Sequence, residues 1–235
     1  MAWRGEARLG KAGRGKARQG NNNFKSGRGI MKELKIKLVG QSPLITHNIR
    51  LANPLGEYAQ AMKSLTGKRN KTDADLKEIA KLEWEGGLYL EDGVVVMPAK
   101  CLNSCFFEGA KKKKNGPKWR TGAILPSEHY PMEYNGAKIN ISVNGDIPNP
   151  DLDKYYSNFN DQRMVRVGTG QILRTRPLFL GWSVPDVGIM YDENILDKRT
   201  LLQICEDAGY LVGLCEMRPG SKGGGTYGRF IVENI

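Results

Sequence analysis

Leu34-Lys-Ile-Lys-Leu-Val39 alternates apolar with basic residues, the period of a strand that buries one face and holds its lysines in solvent. A first core strand is expected here. Pro43 and Pro54 then bracket Leu44 to Asn53, a stretch with His47, Asn48 and Arg50. Two helices should follow, one around Glu57 to Leu65 and one capped by Thr72, with Asp75 three residues on completing a small capping box. In the second, Leu76, Ile79, Ala80 and Trp84 recur at helical spacing, and Gly86-Gly87 ends it. Leu88 to Leu90 and Val94 to Met97 flank Glu91-Asp92-Gly93, a hairpin signal with glycine where positive φ is needed. Pro98 opens a third helix, whose apolar face is Leu102, Cys105, Phe106 and Ala110. Its last turn runs into Lys111 to Lys114, cations that suit the negative end of a helix dipole and would equally grip phosphates.

From Trp119 to about Asn160 the chain is poor in periodic signal and rich in Pro, Gly, Asn and Tyr, so an insertion rather than core is expected. Met164 to Val167 and Ile172 to Phe179 read as strands. Arg174 and Arg176, two apart, should project from one face. Val187 to Tyr191 is a further strand, and Asp197 caps a helix carrying Leu201, Ile204, Cys205 and Ala208, with Gly209 as its stop. Leu211 to Cys215 should be extended, Arg218 to Arg229 a loop, and Phe230 to Val232 the closing strand.

The chain has 235 residues, with 36 Lys and Arg against 25 Asp and Glu, a net charge of +11. Residues 1–30 hold eight of those cations (Arg4, Arg8, Lys11, Arg14, Lys16, Arg18, Lys25, Arg28) against Glu6, a net of +7, so the body is only mildly basic. Seven glycines and Asn21 to Asn23 leave almost nothing there to bury, and a disordered basic tail or upstream extension before Met31 is expected. Such an arm suits nucleic acid, and it would equally be a passive extension. No apolar run is long enough to span a bilayer and no secretory signal is visible, so a cytoplasmic protein without membrane contact is expected. Cys101, Cys105, Cys205 and Cys215 lack zinc-ligand spacing, and only His47 and His129 could assist them. Cys101 and Cys105 read as small buried hydrophobes, and neither a metal nor another cofactor is expected.

Stripped of inserts, the order strand, helix, strand, strand, helix, strand is that of an α+β, ferredoxin-like or RRM-like split βαβ core. It would form a single domain over 31–235, with a helical insertion at about 44–87 after the first strand and a thumb-like insertion at about 119–160. Met97-Pro98-Ala-Lys100-Cys-Leu102 to Gly109-Ala110-Lys111 resembles the first helix of the RAMP superfamily. Gly220-Ser-Lys-Gly-Gly-Gly-Thr-Tyr-Gly228-Arg229-Phe230 is similar to that superfamily's glycine-rich loop, and the insertion before Arg174 falls where backbone subunits of CRISPR surveillance (Cascade-type) complexes carry a thumb. The resemblance implies a non-catalytic subunit that binds RNA, or single-stranded nucleic acid, and assembles side by side along it.

The residues themselves agree with such a role. Glycines let a backbone approach phosphates and expose its amides, here at Gly223 and Gly224 with Lys222 beside them. Arg163, Arg166, Arg174, Arg176, Arg218 and Arg229 supply charge, and Tyr227 a flat ring for stacking. A plain connector and a solvated strand face are the structural alternatives. No aromatic RNP strand is present, so base stacking across the sheet is not expected. Asn53 stands where slicing members of the resembled family place an acid, which argues against metal-dependent cleavage. Two rivals remain: a metal-independent endoribonuclease using His47 as general acid or base, as the guide-processing branch uses a histidine near its first strand, and a decoy or structural partner within another nucleoprotein complex.

Overall fold

The computed structural model describes residues 31–140 and 151–235. The basic tail expected over residues 1–30, and residues 141–150 of the expected thumb, lie outside the described residues. β1 (Met31–Gly40) buries Leu34, Ile36 and Leu38 and sends Lys35 and Lys37 outward, each 3.4 Å from an acid of a flanking strand, Asp186 and Glu233. Exposed pairs of this kind contribute ~0–1 kcal/mol, so the apolar face sets the register.

β2 (Leu44–Ile45), a 3-10 turn at Ile49–Ala52, α1 (Glu57–Thr66) and α2 (Asp73–Gly87) come next. The Thr72 capping box forms, with Thr72 Oγ1 accepting from the Asp75 amide and Asp75 from the Thr72 amide. β3 (Leu90–Glu91) and β4 (Val94–Pro98) join through Asp92 and Gly93, at φ 49° and 79°. Two successive residues at positive φ match the right-handed strand twist, as in a type I′ hairpin. α3 (Ala99–Lys112) and α4 (Gly116–Gly122) precede four short strands: β5 (Ala123–Ile124), β6 (His129–Pro131), β7 (Glu133–Tyr134) and β8 (Ala137–Lys138). After β9 (Tyr156–Ser157) come the hairpin β10 (Asn160–Val167) and β11 (Gly170–Phe179), then β12 (Trp182–Asp192), α5 (Lys198–Asp207) and β13 (Phe230–Asn234).

The fold is α+β with antiparallel sheets. The main sheet runs β13-β1-β12-β7-β8, and β5 also pairs with β12. β10 and β11 stand apart, in a second sheet ordered β2-β11-β10-β9, while β3, β4 and β6 make a third. α3 and α5 pack together on the main sheet. Phe106 of α3 lies 6.4 Å from the Phe230 ring of β13, which in turn lies 6.3 Å from Trp182 of β12.

Several expectations need correction. The stretch expected to be an insertion rather than core, from Trp119 to Asn160, buries Trp119, Tyr130, Met132, Ile139 and Phe159 within the one core. Strands of two or three residues are too short to show a period, which is why they escape pattern reading. Leu76 is half exposed, because α2 buries only its C-terminal half against β11, from Ala80 onward. β12 begins at Trp182, not Val187: the register between Ile36 and Leu38 shifts by one residue beside Pro185, and a bulge is where a strand tolerates proline. Gly209 does not stop α5, and Leu211 to Cys215 is not extended. The chain continues as a π turn, Ala208–Val212, that Gly213 ends at φ +74° with its amide donating to the Ala208 carbonyl. Cys105 is buried as expected, whereas Cys101 is partly exposed. No helix among the described residues is long and apolar enough to cross a membrane.

Candidate functional site

The β10–β11 hairpin turns at Gly168 and Thr169, which sets Asp161 opposite Arg176 and Arg163 opposite Arg174. All four project from one face. Two arginines directly opposed would repel, and two buried acids prevent it. Asp161, fully buried, accepts from Arg163 Nε at 2.5 Å and from Arg176 Nη2 at 3.0 Å. Glu83, on the core-facing side of α2, takes Arg174 Nη1 at 2.6 Å and the Thr175 amide at 2.8 Å.

The expectation of Arg174 and Arg176 as a free basic face is therefore corrected. Arg176 is itself buried, with Glu216 3.9 Å from its other Nη, and Arg174 is held by α2. Burying a cation requires a paired anion, and alternation alone does not reveal which anion. Arg163 and Arg174 keep about a quarter and a third of their side chains exposed, whereas Arg176 is sealed. The Arg163 guanidinium lies 4.8 Å from the centre of the Tyr227 ring and also donates to the Tyr227 hydroxyl. Met217 Sδ sits beneath both Arg163 and Arg176, at 3.6 and 3.7 Å.

The glycine-rich loop is a strapped structure with an open tip. Glu216 donates its amide to Ile45, Tyr227 to Met217, Gly228 to Pro43, and Leu214 to Gly228. A Cβ at Gly225 would collide with the Met217 carbonyl, and one at Gly228, whose φ is +68°, with that of Leu214. Those two glycines serve the strap. Gly223 and Gly224 have open space where a Cβ would go, and with exposed Lys222 they form the tip.

Arg218 donates to the Cys215 carbonyl at 2.6 Å and lines a cleft of about 330 Å³ together with His47, Tyr89, Lys100, Cys101 and Glu216. His47 Nδ1 has no hydrogen-bond partner among the described residues. Burial draws the imidazole's pKa below its ordinary value, with Arg174 and Arg176 adding to the effect and Glu216 and Glu83 opposing it.

Arg163, Arg176 and Tyr227 thus meet around Asp161, and Glu216 links that cluster to the cleft holding His47 and Arg218. Arg166 projects from the opposite hairpin face and donates to Gly168, and Arg229 lies over the Tyr210 ring at 5.0 Å. Lys111 and Lys113 of the lysine run pair with Glu108 and Asp207. Asn53 accepts from the Leu55 amide, a local turn contact. Arg50 donates to the Glu85 and Gly86 carbonyls, capping the end of α2. Among the described residues no group of three or more His, Cys, Asp or Glu side chains could hold a metal ion.

Asp161, Glu83, Glu216 and Met217 are the site residues that sequence reasoning missed. Folding the chain about Gly168-Thr169 would have set Asp161 against Arg176. Glu83, Glu216 and Met217 come from remote segments and leave no such signal. No known protein family matches this chain, and no curated protein is similar to it.

Proposed function

We propose that the chain binds RNA, or single-stranded nucleic acid, without cleaving it, as a RAMP-type subunit laid along the strand. The observation that carries this reading is Arg163 held over the Tyr227 ring by a buried carboxylate. This presents a fixed cation and an aromatic ring at the surface, the pairing that sequence-tolerant single-strand binding uses. The open Lys222–Gly224 tip adds an exposed cation suited to phosphate oxygens.

The strand order supports a ferredoxin-like core. β13-β1-β12-β5 with α3 and α5 as crossovers has the arrangement of two interleaved split βαβ units, with β5 in the place of the second strand. The outer half of the β10–β11 hairpin supports assembly. Met164 and Leu173 face each other there, each about half exposed, and a two-stranded ribbon with apolar side chains gains stability from a neighbour. A second copy supplying that neighbour makes a heterologous contact that repeats along the strand.

Two measurements test the reading. Affinity for single-stranded RNA should fall steeply with salt and vary little with base sequence, and equal affinity at low and high salt sinks it. Light scattering on strands of increasing length should show more copies on longer strands. A fixed one-to-one stoichiometry refutes assembly and leaves binding standing.

A further inference from the structure

The cleft beside Arg218 contains a pair of cysteines that the binding reading does not use. Cys101 is the third residue of α3, in the first turn, where the helix dipole favours a negative charge. Cys215 and Tyr89 line the same cleft and interact with its sulfur. Lys100 and Arg218 line the same opening, which gives solutes access to Cys101. The other two cysteines differ in kind. Cys105 donates to the Gly213 carbonyl at 3.2 Å beneath the cleft, and Cys205 is sealed in the core; burial pushes both thiols up.

We propose that Cys101 and Cys215 form a peroxide-reactive thiol pair, in which Cys101 is oxidised first and Cys215 resolves it to an intramolecular disulfide. The Cys101 thiolate attacks one oxygen of a peroxide. An S–O bond forms as the O–O bond breaks, and hydroxide, or an alkoxide from an organic peroxide, leaves with the electron pair. Cys215 sulfur then attacks the Cys101 sulfenic sulfur. An S–S bond forms as the S–O bond breaks, and the sulfenic hydroxyl departs as water, taking the Cys215 proton or, if Cys215 reacts as thiolate, one proton from solvent.

The environment divides the roles. The hydrogen bond from Cys215, then that from Tyr89, and the charges of Arg218 and Lys100 hold Cys101 down to about 7, against the desolvation that opposes them. Cys215 is held well above the usual thiol range, first by its bond to Cys101 and then by burial. The place of Cys101 at the amino end of α3, beside Lys100 and open to the cleft, makes it the nucleophile. Cys215 also begins the segment that runs through Arg218 and Lys222 to Tyr227, so the disulfide would fasten the glycine-rich strap to α3.

The full chain is first alkylated with iodoacetamide over a range of pH and mapped. Cys101 should label in the native protein with a midpoint below that of an ordinary thiol, about 8.5, while Cys105 and Cys205 label only after denaturation. Hydrogen peroxide should then remove two hydrogens per chain and give a Cys101–Cys215 crosslink on non-reducing peptide maps. Cys215→Ser should stop at a sulfenic acid on Cys101 that dimedone captures, and Cys101→Ser should give neither product. Native labelling without preference for Cys101, or a crosslink joining other cysteines or two chains, overturns the proposal. The alkylation and the wild-type crosslink decide the matter even where a serine variant fails to fold.

Discussion

The main sheet and the β10–β11 hairpin are both antiparallel, yet they bury opposite kinds of side chain. Facing the helices, β1 and β12 contribute Leu34, Ile36, Leu38, Val184, Val187 and Ile189, and their charged residues stay at the surface. The hairpin's inner half buries Asp161, Thr175 and Arg176, closed off by Glu83. Each fully buried aliphatic side chain stabilises by roughly 1.5–3 kcal/mol, and an exchange among them alters that by a fraction. A buried ion pair, in contrast, gains little net stability while both partners are present and becomes costly once one is lost. The sheet holds the fold together, while the hairpin spends stability to fix the direction of one arginine.

The sharpest way to break that comparison is Asp161→Ala. It leaves Arg176 buried without its anion and frees Arg163 from Tyr227, so urea denaturation should show a loss of about 3–5 kcal/mol. Replacing both partners, Asp161→Leu with Arg176→Met, should recover most of it. Lys35→Ala, which removes one partner of an exposed pair on β1, should change stability by no more than ~0.5 kcal/mol. A loss at Asp161 as small as that at Lys35 would mean that the hairpin network is not energetically closed, and the contrast between the two regions would fail.

A smaller effect is expected on binding. Tyr227→Ala removes the ring under Arg163 and should weaken single-stranded RNA binding by about 1–3 kcal/mol, with Tyr227→Phe retaining most of the affinity because stacking needs the ring and not the hydroxyl. Fluorescence anisotropy at fixed salt measures both. Deleting residues 1–30 should instead lower affinity for all sequences together and flatten the salt dependence, with the thermal midpoint nearly unchanged. If Tyr227→Ala and Arg166→Ala weaken binding equally, the Arg163–Tyr227 cluster has no special part, since Arg166 lies on the opposite hairpin face.

Local signals account for what could be read beforehand. The Leu34–Val39 alternation, the Thr72 box, the Asp92-Gly93 turn and the Asp197 cap each act within a few residues, and each forms as the sequence implies. The threading of residues 119–140 through the core was not legible, because β5 to β8 take their places from partners elsewhere in the chain. The same division runs through the site. Arg174 and Arg176 share a face, as spacing two apart requires, but their neutralisation depends on a cross-strand partner and on a helix some ninety residues earlier. Glycines that look alike in sequence also separate: Gly225 and Gly228 fill tight packing, whereas Gly223 and Gly224 remain open.

The smallest expected effect concerns His47, which sits between the two regions and sharpens the comparison through pH. Its pKa is lowered on folding, first by burial, so the native protein takes up this proton less readily than the unfolded chain does. The sign follows directly: the contribution is complete above the ordinary imidazole pKa of about 6.5 and is lost as pH falls through that value toward the folded one. Thermal midpoints measured across that window should decline toward acid, and His47→Gln should make the decline shallower while leaving the midpoint at neutral pH little changed. The same variant separates a structural histidine from a catalytic one. Wild-type protein should leave a labelled RNA hairpin intact, so that His47→Gln alters only the pH profile of stability. Specific cleavage by the wild type, abolished in a folded His47→Gln variant, would make the cleft an active site and overturn the non-catalytic reading, without touching the contrast between an apolar sheet and a charge-paired hairpin.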